Sequence, residues 1–185
     1  MGSITCDLND LFEETVMQEN KFSGRVFDVF VKKVKCPDGQ MAEREVVMHN
    51  GGAAILAVDE DLNCHMISQF RSPIEEVLLE VPAGKIEPGE NPLTCAAREI
   101  VEETGFEAGK MDYVGFSLSS PGYCSEKIYL YIATDLKKTE GDPDESEFLM
   151  NKLVPLKELV DMCDRGEITD SKTQILVYKA ARRFL

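Results

Sequence analysis

The sequence predicts a mixed α/β (α+β) fold preceded by an N-terminal β-hairpin. Three observations carry that expectation. Residues 53–58 read AAILAV, a nearly continuous apolar run, as in a strand buried on both faces. Between residues 25 and 48, apolar and polar positions alternate about a Pro37-Asp38-Gly39 turn, which is a hairpin pattern. Residues 84–104 run from a turn carrying Gly84 and Gly89 into a helix whose carboxylates stand three and four positions apart.

The other elements follow in order. Residues 11–22 (LFEETVMQENKF) are expected as an edge strand or a short irregular arm. In the hairpin, Phe27, Val29 and Val31 alternate with Asp28 and Lys32, and the return strand passes through Arg44, Val46 and Met48. Acidic turn residues Asp59, Glu60 and Asp61 close the AAILAV strand. A second core strand occupies 64–70 and a third 77–81. After the helix come strands at 112–118 and 127–133, then the acidic loop TEGDPDESEF at 139–148. Another strand ends before Pro155, whose fixed φ suits it to open a short helix to Cys163. Asp170 is expected to cap a final helix packed through Ile175, Leu176, Tyr178 and Ala181. No repeat, low-complexity segment or internal linker interrupts this order.

Composition narrows the function. A chain of 185 residues supports one domain with a sizeable core. No apolar run reaches membrane-span length, and the first residues lack the basic and apolar regions of a signal peptide. A soluble cytoplasmic protein is the expectation. The net charge of −14 argues against nucleic acid or an anionic membrane as partner, since both need a basic surface. A small anionic substrate is still compatible, because bound cations reverse the local field. The six cysteines (Cys6, Cys36, Cys64, Cys95, Cys124 and Cys163) form no CxxC pair, which disfavours disulfide and zinc roles. Cys95 reads as a small core residue. His49 and His65 form no local metal motif and receive no catalytic role.

The most informative segment is residues 84–106, GKIEPGENPLTCAAREIVEETGF. Glu99, Glu102 and Glu103 crowd one helix face, where like charges repel. A hard divalent cation removes that penalty, and carboxylate oxygen is the donor Mg²⁺ or Mn²⁺ prefers. The opposite face, Leu93, Ala96, Ala97, Ile100 and Val101, is expected to pack on the core while the carboxylates look into a site. Arg98 supplies a cation suited to a bidentate carboxylate pair.

This segment resembles the Nudix box: Gly, five residues, Glu, seven residues, then Arg-Glu-apolar-any-Glu-Glu-any-Gly-apolar. Those positions are Gly84, Glu90, Arg98, Glu99, Ile100, Glu102, Glu103, Gly105 and Phe106, without departure. From ordinary residue frequencies, the chance occurrence is on the order of one in 10⁹ per starting position. Other segments are similar to the ADP-ribose pyrophosphatases of that family. They are Arg44-Glu45, Gln69-Phe70-Arg71, Glu80-Val81-Pro82-Ala83-Gly84, Leu118-Ser119-Ser120-Pro121-Gly122 and Glu126. The likeness extends over roughly residues 20–180.

The resemblance implies a Nudix fold, a mixed β-sheet sandwiched between helices, over residues 51–185. Residues 1–50 form the strand and hairpin extension, used for dimerisation. It implies Mg²⁺-dependent (or Mn²⁺-dependent) hydrolysis of ADP-ribose to AMP and ribose 5-phosphate. Alternatives are another nucleoside diphosphate sugar, such as ADP-glucose or GDP-mannose, or a catalytically silent domain that senses a metabolite. Glu99 and Glu103, assisted by Glu102 and the carbonyl of Ala83, are implied ligands of two or three ions. Arg98 stands with the catalytic group. Arg71 and Arg44 are implied to hold the diphosphate, with Glu80, Ser120, Pro121, Gly122 and Glu126 also at the substrate. A loop glutamate is the implied base, with Glu147 the first choice and Glu145 the second. The chain departs from some relatives in having no tryptophan to stack on adenine, a role left to Phe22, Phe27 or Phe30. A homodimer that exchanges the 25–48 hairpin is the implied assembly.

Overall fold

The computed structural model describes residues 11–139 and 149–185, and these hold ten strands and three helices. Two compact units emerge. Residues up to His49 join with Ser120–Glu126 in one, and Asn50–Ser119 with Lys127–Leu185 make the other.

The first unit is a three-stranded antiparallel sheet of β1 (Glu14–Ser23), β2 (Phe27–Lys35) and β3 (Met41–His49), in that spatial order. The expected turn joins β2 to β3: Gly39 has φ +83°, and its N–H donates to the Cys36 carbonyl at 2.8 Å. Glycine takes this left-handed conformation without steric cost. The 11–22 segment becomes the edge strand β1, exposed along its length. Residues 120–126 dock on β3 through Val47 N–H to Tyr123 O (2.7 Å) and Ser125 N–H to Val47 O (2.9 Å).

The second unit is built around β4 (Gly52–Val58), every residue of which is buried. Successive strand side chains point to opposite faces. Ala54, Leu56 and Val58 enter one core, and Ala53, Ile55 and Ala57 the other. The sheet continues through β5 (Asn63–Arg71), β6 (Glu76–Glu80) and the short β7 (Ala83–Lys85). After helix α1 (Pro92–Thr104) it gains β8 (Phe106–Leu118), β9 (Lys127–Lys138) and β10 (Met150–Pro155). Helices α2 (Leu156–Asp164) and α3 (Ser171–Phe184) follow. The main strand order is β10-β5-β4-β9-β8, with β6 on β5 and β7 on β4. Only the β4–β9 pairing among these is parallel, so the sheet is mixed.

Helix α1 covers one face through Cys95, Ala96 and Ile100. Helices α2 and α3 cover the other through Leu156, Leu159, Leu176, Val177 and Ala180. Each fully buried Leu or Ile contributes about 1.5–3 kcal/mol. The two cores therefore hold α1 and α3 against opposite faces of β4, which fixes where their polar side chains meet the sheet.

Several expectations need correction. β8 begins at Phe106 rather than 112, and β9 continues to Lys138 rather than 133. Their added pairs include Lys110 with Thr134 and Glu107 with Lys137, polar positions that send no apolar signal. Pro155 is the N-cap of α2, one position before the helix. In α3 the buried stripe is Thr173, Leu176, Val177 and Ala180, together with Lys172. Tyr178 lies outside it and donates its hydroxyl to Asp164 at 2.6 Å. In α1, Leu93 and Ala97 are exposed, while Glu99 and Glu103 are buried beside Cys95, Ala96 and Ile100. The two carboxylates thus share the packed side of the helix instead of opposing it, because positions 95, 99 and 103 repeat at one-turn spacing.

Candidate active site

Helix α1 is sharply bounded. Asn91 caps it by accepting from Thr94 N–H at 2.9 Å, Pro92 opens it, and Gly105 ends it at φ +73°. Asparagine is a strong N-cap, and glycine tolerates the left-handed residue that stops a helix. This framing delivers Glu99 and Glu103 to β7.

Glu99 lies directly against the backbone of Gly84. A Cβ at position 84 would sit 1.7 Å from Glu99 Oε1, well inside contact. Only glycine leaves room for the carboxylate. Glu103 reaches the neighbouring residue, where its Oε2 accepts from Ala83 N–H at 2.9 Å. Ala83 therefore meets the box helix through its N–H.

Arg98 gathers the remaining charge. Nη1 donates to Glu99 Oε1 at 2.7 Å and to Glu102 Oε2 at 2.9 Å. Nε and Nη2 span the two oxygens of Glu90 at 3.2 and 3.3 Å. The expected fork therefore closes on Glu90, and the third nitrogen bridges two helix carboxylates. Burial alone would lower the Arg98 pKa, but Glu90, Glu99 and Glu102 raise it on balance, so the guanidinium is a permanent cation. Its hydrogen bonds pull Glu90 below the usual carboxylate range. Cys95 packs beneath, and burial pushes its thiol up to about 12, as befits an inert core residue.

A second polar cluster forms where β5, β6 and α3 meet. Arg71 donates Nε and Nη2 to the two oxygens of Glu80, each at 2.7 Å. Glu80 is 1% exposed, and Lys172 Nζ bonds to its Oε2. Burial would raise the Glu80 pKa; Arg71 and Lys172 outweigh it, and the net shift is downward. Lys172 also meets Asp170, the N-cap of α3, at 3.0 Å. Thr173 Oγ1 accepts from Val81 N–H at 3.0 Å. Arg71 senses the Glu103 charge as well, which raises its pKa alongside the larger effect of Glu80. Glu80 is thus a buried anchor for Arg71.

The remaining predicted residues belong to the hairpin unit. Arg44 pairs with Glu13, Nε to Oε2 at 3.1 Å and Nη2 to Oε1 at 2.5 Å. Ser120, Pro121 and Gly122 form a turn in which the Ser120 carbonyl accepts from Tyr123 and Cys124 N–H. Glu126 Oε1 stands 3.5 Å from His49 Nδ1. Glu147 and Glu145 lie outside the described residues.

Sequence reasoning passed over Glu13, Lys172 and Thr173. For Lys172 there was a signal. A cation in the first turn of a helix meets the positive end of the macrodipole, so local energetics give it no reason to be there.

The donor chemistry around α1 fits a hard divalent cation: Glu99, Glu102 and Glu103 offer oxygen only, two of them buried. As placed, they are drawn to Arg98 and Ala83, and no three ligating side chains converge as a cluster among the described residues. Also among the described residues, no helix is long and apolar enough to cross a membrane.

The NUDIX domain pattern matches residues 48–176, a span that includes the box, the Arg71 cluster and both cores apart from Val177 and Ala180. The chain belongs to the Nudix family. It is 38% identical to an ADP-ribose pyrophosphatase of Bacillus subtilis over 90% of this chain and 91% of that protein. It is 40% identical to a methanol dehydrogenase activator of Bacillus methanolicus, over 92% and 94%. A GDP-mannose pyrophosphatase of Cronobacter sakazakii is 30% identical over 91% and 92%. The fold matches the crystal structure of an ADP compounds hydrolase, with a TM-score of 0.80, 23% identity and 92% of each chain covered.

The Nudix box makes a specific demand at Gly84. Gly84→Ala should displace the Glu99 carboxylate by more than an ångström while leaving β7 paired. Misplacement on that scale costs about 10²-fold in activity. Steady-state kinetics and a Mg²⁺ titration check this; wild-type values for both would show that Glu99 does not act from this position.

Proposed function

We propose that this Nudix protein hydrolyses the diphosphate of ADP-ribose to AMP and ribose 5-phosphate, with Mg²⁺ or Mn²⁺. The observation that carries the reading is an intact box with two buried carboxylates framed by Arg98, Gly84 and Ala83. The 38% identity to an ADP-ribose pyrophosphatase supports the substrate. Glu99, Glu103 and Glu102 would hold the metal. Bound there, it supplies charge for the phosphoryl oxygens and lowers the pKa of a bound water. Arg98 keeps Glu99 and Glu102 oriented. Arg71, braced by Glu80, would bind diphosphate oxygens, as would Arg44, because a guanidinium matches phosphate geometry. In this reading Glu147 takes the proton of the attacking water. The functional unit is a homodimer in which the extension of residues 1–50 completes the site of the 51–185 domain.

The runner-up is hydrolysis of GDP-mannose. It is favoured by the relative of that name and by the lack of any tryptophan to select adenine. The methanol dehydrogenase activator raises a third reading, action on a partner enzyme, yet all three metal-ligating positions are present here. Phosphate release from ADP-ribose, ADP-glucose and GDP-mannose, with added phosphatase, separates these readings. ADP-ribose should give the highest kcat/KM. A higher value for GDP-mannose would replace the substrate, and no release from any of them would remove the hydrolase reading.

A further inference from the structure

We propose that Lys172, in the first turn of α3, is a positioning residue that keeps Arg71 available to an anionic substrate. The inference rests on the diphosphate reading of Arg71 given above. A carboxylate that gripped Arg71 alone would orient the guanidinium and also cancel its charge. Here the same carboxylate has two cationic partners. Glu80 takes both donors of Arg71 at 2.7 Å and also the ammonium of Lys172. Lys172 also meets Asp170 at 3.0 Å, so two cations balance two carboxylates; without Lys172, Arg71 alone would face both Glu80 and Asp170.

The surroundings support that assignment. The Glu80 side chain is 1% exposed and that of Lys172 10%, whereas that of Arg71 is 37% exposed. The cluster therefore has a closed inner side and an open side at which Arg71 stands. Burying a lysine at a helix start opposes both hydration and the macrodipole. Lys172 is retained there by Glu80 and by Asp170 at 3.0 Å. The next residue, Thr173, accepts from Val81 N–H, so this turn of α3 grips two consecutive residues at the exit of β6. Two residues further on, Ala83 N–H holds Glu103. One helical turn thus braces both the proposed phosphate ligand and the strand exit that leads to the proposed metal ligand.

The test compares wild type, Lys172→Met, Lys172→Gln, Lys172→Arg, Arg71→Ala and the Lys172→Met/Arg71→Ala double. Calorimetry with ADP-ribose, and with GDP-mannose in parallel, is done in EDTA so that no hydrolysis occurs. KM and kcat are then measured with Mg²⁺, and melting curves establish folding. Lys172→Met should raise Kd and KM by about tenfold, the scale of one charge-assisted interaction, with a much smaller change in kcat. Lys172→Arg should restore binding. Lys172→Met should add nothing to Arg71→Ala, because the two act on one path. Lys172→Gln keeps a donor toward Glu80 without the charge, so it should lose binding as Lys172→Met does, and it decides the question if Lys172→Met alone fails to fold. A lowered melting temperature with unchanged Kd would overturn the proposal. So would effects that add to those of Arg71→Ala, or wild-type binding by a folded Lys172→Gln. A wild type that binds these ligands but hydrolyses neither defeats the hydrolase reading alone, and the binding arms still decide Lys172. A wild type that neither binds nor, with Mg²⁺, hydrolyses these ligands overturns both.

Discussion

Glu103→Gln should lower turnover by several orders of magnitude while the protein stays folded. Glu103 is 5% exposed and accepts from Ala83 N–H at 2.9 Å. Glutamine retains a carbonyl oxygen of the same reach, so that hydrogen bond survives the substitution. The lost feature is the negative charge. A neutral amide is a poor ligand for a hard cation, and each tenfold loss of rate corresponds to about 1.4 kcal/mol of transition-state stabilisation. Removing one of three crowded carboxylates also relieves repulsion along α1. The metal-free variant should therefore melt no lower than the metal-free wild type. Kinetics under saturating Mg²⁺, together with melting curves in EDTA, check both halves. Near wild-type turnover would show that Glu103 is not a metal ligand, and a large drop in melting temperature would give it a structural role instead.

The fold was legible wherever burial left a periodic trace. AAILAV reads as a strand because both of its faces meet apolar cores, and the structure divides those residues between α1 and the α2–α3 pair. The hairpin was legible because Gly39 must take a positive φ and Asp38 accepts from Gln40 N–H at 3.0 Å, both local requirements. The early part of β8 was not, since none of its side chains is fully buried. The face of α1 was misjudged for a related reason. Apolarity stood in for burial, yet Leu93 is exposed and Glu99 and Glu103 are not.

The site divides along the same line. Residues within the box could be assembled from helical spacing, and Arg98 does contact Glu99 and Glu102 as that spacing allows. Partners that come from distant segments leave no local pattern. Glu80 looked like a substrate residue because it stands beside the Pro82-Ala83-Gly84 motif. Its buried contacts with Arg71 and with Lys172, ninety-two positions away, leave no trace beside that motif. Arg44 was read without Glu13 for the same reason. Buried charge needs compensating charge, and compensation is a tertiary property.

Mixing two inactive variants, Arg44→Ala and Glu103→Gln, should return activity to roughly a quarter of wild type. The expectation follows from the proposed homodimer, in which each site draws Arg44 from one subunit and Glu103 from the other. Statistical exchange makes about half of the dimers mixed, as two-fold symmetry requires. Each mixed dimer then carries one site with both defects and one with neither. The surface of the hairpin unit suits a partner copy. Val16, Met17, Phe22, Phe27 and Met41 are all exposed by 41% or more. A cavity of about 410 Å³ in the same unit is walled by Val29, Val31, Val46, Val47 and Tyr123. Among the described residues, the Arg44 guanidinium is engaged by Glu13, the Glu43 carbonyl and Cys36, and a substrate phosphate would compete with Glu13 for it. Exchange is verified by native mass spectrometry on isotopically distinct chains, and activity is read after mixing. Proven exchange without recovery would place Arg44 in its own subunit's site, and a monomer by light scattering would remove site sharing altogether.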